Sequence, residues 1–123
     1  MKNEDFKGID VKKGLAIVAN NKTVYMKLLK SFSVNAFGDQ IINAVKSGNM
    51  DQVRHSAHSL KGVAGNMYMD ELFELSREIE IAAKEGVRVS LTDDNIIKIT
   101  ESYKQTLDSV NMLIANPEIL DTI

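Results

Sequence analysis

Apolar residues recur along most of the chain at steps of three and four residues, which is the period of an amphipathic helix. The first stripe predicts one long helix over residues 21–46, in which Gly38 is the candidate for a bend. Its apolar positions are Val24, Leu28, Leu29, Phe32, Ala36, Ile41, Ala44 and Val45. Strand patterns, in which alternate residues are apolar, are nearly absent, so the pattern indicates an all-α protein.

Two further helices have recognisable starts or ends in the sequence. Asn49 is placed to cap a helix over residues 50–66, and Gln52 three residues later fits the pattern of a capping box. A third helix is expected over residues 70–85, where Gly86 can supply the turn that ends it. These signals predict two consecutive helices, a helical hairpin, in the middle of the chain.

The last long helix is expected to begin at Thr92-Asp93-Asp94, because acids suit the positive end of a helix dipole. Asn116-Pro117 stops it, and a short helix between Asp10 and Ala19 is expected to pack across one end. The loops are short, so neighbouring helices should lie antiparallel. The predicted fold is an up-down antiparallel four-helix bundle with a short N-terminal cap helix.

Composition narrows the class of protein further. The chain has 123 residues and one proline, which fits a single domain over residues 1–123 with loosely ordered ends at 1–8 and 117–123. It has no cysteine, its net charge is -2, and aromatic residues make up 6%, so neither a thiol site nor nucleic-acid binding is expected. No segment resembles a signal peptide or a membrane span, so a soluble, cytoplasmic protein without membrane contact is expected.

The second long helix carries the residues that could take part in a chemical reaction. At about 100° per residue its apolar stripe lies within about 40° of Val53, whereas His58 lies about 140° away, on the outer face. Gly62 and Gly65 fall on the side of His58, although each glycine costs about 1 kcal/mol in a helix relative to alanine. The stripe consists of Val53, Ala57, Leu60, Ala64 and Met67.

Bare backbone beside an exposed imidazole would let a large reactant or another protein reach the ring. Lys61 and Arg54 lie toward the flank of His58 and can offer positive charge to an anion held there. An exposed ring, a helix surface without side chains beside it and flanking cations together are typical of a nucleophile that accepts a phosphoryl group. Each feature also has an ordinary explanation: surface histidines are common, and glycines within helices often allow close packing.

The segment from His58 to Asn66, HSLKGVAGN, resembles the signature of histidine-containing phosphotransfer (HPt) domains, in which His-x-x-Lys-Gly is the core. The resemblance extends from about Gly8 to the fourth helix, and SGNMD at residues 47–51 is similar to the family's turn into the histidine helix. It implies that His58 is phosphorylated on Nε2, that Lys61 offsets phosphate charge and that Gly62 admits the partner. The residues expected in support are Arg54, Ser59 and Gly65.

The same resemblance implies a phosphorelay carrier in two-component signal transduction. His58 would accept the group from a receiver-domain aspartyl phosphate and pass it to another receiver; the partners are response-regulator receiver domains, with a hybrid histidine kinase as a further candidate. The receiver would supply Mg²⁺, and this chain, a monomer like most of the family, would need no cofactor or metal. It has no Gly-rich phosphate loop, so it would be a transfer intermediate rather than a self-sufficient catalyst.

Two other functions stay open from the sequence. The chain could be the phosphoacceptor module of a chemotaxis-type histidine kinase, charged by a separate ATP-binding domain. It could also be a non-catalytic adaptor that binds receivers, although the intact His58 and Lys61 argue against that. His55, one turn before His58, could share a metal with it, but no further ligand is placed to complete a shell, so a surface role is favoured.

The turn after Asn66 departs from the family pattern. The family often has an apolar residue, a glycine and a small residue there, whereas this chain has Met67-Tyr68-Met69. A different backbone at this turn, or an altered rim of the partner surface, is therefore expected. The candidates for apolar partner contacts, for most of which core packing is the stronger expectation, are Ile9, Val11, Leu15 and Met67.

Overall fold

The computed structural model describes all 123 residues and contains six α-helices and no strands. The helices are α1 (Val11–Ile17), α2 (Lys22–Val34), α3 (Phe37–Ser47), α4 (Met50–Asn66), α5 (Asp70–Lys84) and α6 (Asp94–Ala115). Short 3₁₀ turns lie at Asn3–Asp5 and Pro117–Asp121. The all-α prediction is confirmed.

The four long arms of the bundle are α2 with α3, then α4, α5 and α6. Contacts between α2 and the end of the chain show the antiparallel order: Lys22 pairs with Asp121, and the hydroxyl of Ser33 donates to Asn111 at 3.0 Å. The short α1 packs against α2. The backbone N–H of Asp10, just before α1, donates to the carbonyl of Tyr68, just beyond α4. The predicted four-helix bundle with a cap helix is therefore confirmed.

Side-chain caps fix the start of the helix that carries His58. The side chain of Asn49 accepts the N–H of Gln52 at 3.2 Å, as predicted. The predicted capping box is only half formed, because the hydroxyl of Ser47 donates to the Gln52 side chain and also accepts the N–H of Asn49. After α5, Gly86 has a φ of +77°, which is the left-handed turn expected of a helix-ending glycine.

The predicted single helix over residues 21–46 is wrong. It is broken between α2 and α3 at Ala36, whose φ of +50° is left-handed, and Gly38 lies inside α3 rather than at the bend. The ring of Tyr103 from α6 explains the glycine: a Cβ on Gly38 would approach that ring to 2.6 Å. Phe32 and Phe37 pack on either side of the break, with ring centroids 5.8 Å apart.

The predicted apolar face of α2 is also partly wrong. Tyr25, Leu29 and Phe32 are buried, whereas Val24 and Leu28 keep 39% and 40% of their surface exposed. The buried face is therefore rotated toward Tyr25. Its ring enters the core because α1 has a glycine, Gly14, at the contact, where a Cβ would approach Tyr25 to 2.8 Å.

One continuous core holds the helices together and involves both ends of the chain. Phe6 and Leu120 are each 3% exposed, and the hydroxyl of Ser109 on α6 donates to the carbonyl of Lys7 at 2.7 Å. The looser order expected for residues 1–8 and 117–123 stays a prediction, although each end adds one apolar side chain to the core. No helix combines the length and the apolar character needed to cross a membrane.

Candidate functional site

His58 lies on the outer face of α4, where the sequence places it. Its side chain keeps 69% of its surface exposed, while its neighbour Ala57 is fully buried in the core. The Nδ1 atom of His58 lies 3.0 Å from Oε2 of Glu80 on α5. One edge of the ring is therefore fixed to the protein, and the rest faces outward.

Glu80 joins the histidine to a lysine. Its second oxygen, Oε1, accepts a hydrogen bond from Nζ of Lys61 at 3.1 Å, so one carboxylate holds both side chains. Only 17% of the Glu80 side chain is exposed. Burial raises the pKa of the Glu80 carboxyl, but the hydrogen bonds from Lys61 and His58 act the other way and leave the pKa below its ordinary value. Glu80 is therefore an ionised acceptor near neutral pH.

This contact determines which ring nitrogen of His58 is free. An ionised carboxylate can only accept hydrogen bonds, so Nδ1 must carry the proton that it shares with Glu80. In a neutral imidazole the other nitrogen then has a lone pair. In that tautomer the lone pair of the ring lies on Nε2, the nitrogen that faces away from Glu80.

The two glycines of α4 have different surroundings. A Cβ on Gly62, four residues after His58, would meet nothing within 4 Å, so the surface beside the imidazole is open. A Cβ on Gly65 would lie 3.3 Å from the ring of Phe73 on α5. Gly62 therefore leaves room for something outside the chain, whereas Gly65 allows α4 and α5 to approach closely.

The other predicted supporting residues are not joined to the histidine by hydrogen bonds. Arg54 is half-buried and Ser59 is exposed, and neither hydrogen-bonds to His58. His55 is exposed one turn before His58. No group of three or more His, Cys, Asp or Glu side chains in the chain could hold a metal ion. The structure thus brings together His58, Lys61 and Gly62 but leaves Arg54 and Ser59 outside the hydrogen-bonded cluster.

Sequence reasoning missed Glu80 as a site residue. The signal was the antiparallel pairing of α4 and α5 about the turn at Tyr68, because residues equally far from a turn lie side by side in a helical hairpin. His58 precedes Tyr68 by 10 residues and Glu80 follows it by 12. Counting outward from the predicted turn would have placed an acid opposite the histidine.

The apolar residues named as candidates for partner contacts lie in the core. Ile9, Val11, Leu15 and Met67 are 5%, 0%, 5% and 3% exposed. Core packing was the stronger expectation for most of them, and the structure shows it for all four. Any apolar contact with a partner must come from other side chains.

At the turn after α4, where the sequence departs from the family pattern, the backbone adopts an unusual conformation. Tyr68 has a φ of +54°, the left-handed region that favours glycine, and Met67 and Met69 on either side are buried. Tyr68 thus adopts the conformation that the family's glycine would allow, at a cost of about 1–2 kcal/mol. Nζ of Lys13 lies 5.8 Å from the centre of its ring, which ties α1 to this turn.

The molecule is thus a four-helix bundle that presents an imidazole on an open helix face, with its Nδ1 held by a carboxylate. The model of one family, described as the Hpt domain, matches residues 33–109, more than half of the chain. The chain therefore belongs to the Hpt domain family, whose role is histidine phosphotransfer in two-component signalling.

A solved structure with a similar fold is the HPT domain from the Hpt sensor hybrid histidine kinase from Shewanella. The TM-score is 0.78 at 16% sequence identity, and the match covers 88% of this chain and 94% of that chain. At this identity the similarity shows the fold alone. No curated protein matches the chain.

Proposed function

We propose that the chain is a phosphorelay carrier and that His58 is its phosphoacceptor. The observation that carries this proposal is the ring held at Nδ1 by Glu80, with Nε2 free on a side chain that is 69% exposed. The open surface beside Gly62 supports it. The partner would be a receiver domain that carries an aspartyl phosphate and supplies Mg²⁺ and the carboxylates that bind it.

The transfer step uses atoms that the site makes available. The lone pair on Nε2 attacks phosphorus, the bond between phosphorus and the aspartate oxygen breaks, and the aspartate leaves as a carboxylate. Nδ1 keeps its proton throughout, so the phosphorylated ring of His58 is cationic. The Glu80 carboxylate offsets that charge, and Lys61, which shares this carboxylate with His58, would offset charge on the phosphoryl oxygens. The reverse step onto another receiver releases the group.

The shape of the site favours a protein partner over a small substrate. The largest groove, of about 900 Å³, is lined mainly by residues of α5 and α6, such as Glu71 and Ile97, and does not include His58. A small-molecule enzyme encloses its substrate in a cleft, whereas His58 lies on an open helix face. A macromolecule that brings its own catalytic groups fits this surface. We infer further that the carrier is a cytoplasmic monomer.

The first test is transfer of labelled phosphoryl from a panel of phosphorylated receiver domains, with His58→Gln as the control. Acid-labile label on the wild type and none on the variant is the expected result. If no receiver transfers label, charging with phosphoramidate decides between two explanations. Label on the wild type alone would indicate a missing cognate receiver, whereas no label would favour the adaptor function.

Glu80→Gln tests the role of the carboxylate. The amide can still accept the Nδ1 proton, but it lacks the charge that stabilises the cationic ring, so we expect transfer to be slowed about tenfold. Nitrogen NMR of the imidazole should show the proton on Nδ1 in the wild type and a mixture of tautomers in the variant. A wild-type ring with its proton on Nε2 would overturn the assignment of the nucleophile.

A further inference from the structure

Two adjoining grooves lie on the surface of the bundle around the start of α5. The larger, of about 900 Å³, is lined by residues of α3, α5 and α6 and by Leu91, which precedes α6. The smaller, of about 340 Å³, is lined by the N-terminal segment, by Tyr68 and by the start of α5. Glu71 lines both grooves, so the two form one continuous surface.

The larger groove contains apolar side chains that the bundle leaves uncovered. Ile97 on α6 keeps 57% of its surface exposed, and Leu91 keeps 42%. Buried Leu75 and Ile96, with half-buried Ile42 on α3, complete the apolar part of the lining. Exposed apolar side chains that lie together with a polar rim are typical of an interaction site.

The carboxylates of these grooves are not neutralised within the chain. The exposed acids that line them form no ion pair, and they are Glu4, Asp70, Glu71 and Glu101. The one cation in either lining is Lys98, which already pairs with Asp94 at 2.9 Å. The rim therefore carries a surplus of negative charge. The surface is called here the acidic groove, and it is formed by Glu4, Asp70, Glu71, Leu91, Ile97 and Glu101.

The acidic groove is separate from the surface that carries His58. The helix α4 packs between α3 and α5, whereas α6 packs against α2, α3 and α5, so α4 and α6 lie diagonally across the bundle. No residue of α4 lines either groove. Along α5, Glu71 precedes Glu80 by nine residues, which is about 13 Å of helix. A partner in the acidic groove therefore leaves His58 open to a receiver.

Charge and shape favour one kind of occupant. Because Ile97 is more than half exposed, the groove is shallow, and a small molecule in it would stay largely in water. The unpaired carboxylates attract lysine and arginine and repel nucleic acid or an acidic segment. An amphipathic helix fills such a groove with apolar side chains three and four residues apart. Cations that flank this apolar stripe would meet the acids of the rim.

We propose that the acidic groove binds a basic amphipathic helix of another protein, which holds the carrier while His58 exchanges its phosphoryl group with receivers. The binding goes beyond the proposed function and does not depend on it. It uses side chains of α5, of α6 and of the segments next to them, and it requires no group of the phosphoacceptor site.

The test titrates a synthetic helix of leucine and lysine, with its leucines three and four residues apart, into the full chain and follows backbone amides by NMR. We expect saturable shifts centred on the acidic groove. The double reversal Glu71→Lys and Glu101→Lys should weaken binding by about tenfold or more. The control, Glu85→Lys and Glu118→Lys, changes net charge equally at two exposed, unpaired acids outside the groove and should weaken binding less than about threefold.

A second pair of variants tests the apolar contact without a change of charge. Ile97→Ser should weaken binding of the peptide about fivefold, because it removes apolar area that the helix would bury. Ile81→Ser, at an exposed isoleucine of α5 outside the groove, should leave binding near the wild type. Circular dichroism should show that all variants stay folded, since every replaced side chain is exposed.

A matched peptide with glutamate in place of lysine should not bind, and a saturating amount of the lysine peptide should leave transfer from receivers to His58 unchanged. Absence of binding, shifts centred elsewhere, an equal loss in both double reversals, or a peptide that blocks transfer would overturn the proposal. Sedimentation of the protein alone tests a second copy as the occupant: self-association that the Glu71 and Glu101 reversals abolish would also overturn it. Failure of His58 to take label from phosphoramidate would remove only the proposed function.

Discussion

Replacing Gly62 by leucine should separate the stability of the bundle from its function. Nothing lies within 4 Å of a Cβ at this position, so the fold can accept a larger side chain. Side chains on a helix lean toward its N-terminus, and residues four apart have Cβ atoms about 5–6 Å from each other. The leucine would therefore cover the open helix surface beside His58, which a partner must approach to reach the ring.

The expected change in stability is a gain. Leucine is favoured over glycine inside a helix by about 0.8 kcal/mol. With an unfolding entropy of about 2.1 cal/mol/K per residue, 123 residues give about 0.26 kcal/mol/K. The melting temperature should therefore rise by about 3 °C. We expect receiver transfer to fall at least tenfold, which corresponds to about 1.4 kcal/mol lost in the transition state.

The assay compares Gly62→Leu with Gly62→Ala in calorimetry, in transfer from a phosphorylated receiver and in charging by phosphoramidate. Alanine should give a similar thermal gain with much less loss of transfer, because only the larger group covers the surface beside His58 on which a partner would rest. Phosphoramidate should charge both variants at rates close to the wild type. Undiminished receiver transfer in a folded leucine variant would refute the access argument.

A matched variant at the second glycine tests the difference between the two positions. Gly65→Ala gains the same helix propensity, but its Cβ would lie 3.3 Å from the ring of Phe73. The overpacking should cancel the gain, so the melting temperature should stay at or below that of the wild type. A rise equal to that of Gly62→Ala would show that Phe73 yields and that the contact does not constrain the helices.

Three further predictions concern Lys61, Ala36 and Glu80. Lys61→Gln should slow receiver transfer several-fold, because charge near the phosphoryl group is lost, and should change the urea midpoint little; an unchanged transfer rate would exclude that role. Ala36→Gly should raise the free energy of unfolding by about 0.5–1 kcal/mol in urea titrations, because it relieves a left-handed alanine at some cost in chain entropy; a lower midpoint would contradict this. The folded-state pKa of Glu80 is lowered, so its contribution to stability is present above its ordinary value of 4.5 and is lost as the pH falls through the folded pKa. The difference in urea midpoint between the wild type and Glu80→Gln should therefore shrink between pH 6 and pH 3, and a difference that grows on acidification would refute the assignment.

The main features of the candidate site could be predicted because they depend on one helix. The angular position of His58 relative to the stripe that contains Val53 follows from the helical period, and the exposure of the ring confirms it. Asn49 caps α4 through a contact three residues away, which is also local. Glu80 could not be found in this way, since its contact with His58 depends on the register between two helices.

The break in the first arm shows the same division. The period of apolar residues continues through Ala36, so the sequence pattern indicates one helix there. The aromatic ring of Tyr103, 67 residues after Ala36 in the chain, packs on Gly38 and next to Phe32. The two halves of the arm both meet α6, and the left-handed Ala36 lies between them. Local propensity did not signal this break, because the groups that pack at it come from another arm.

The all-helical class, most helix ends and the outward position of His58 follow from the order of residues alone, since hydrophobic period and capping act within a few residues. Packing between helices sets which face of α2 is buried, where the first arm breaks, and that Glu80 holds Nδ1 of the histidine. It also gave the two glycines of α4 their different surroundings. These features depend on how separate helices rotate and align against each other, and that alignment minimises the free energy of the whole core rather than of any one segment.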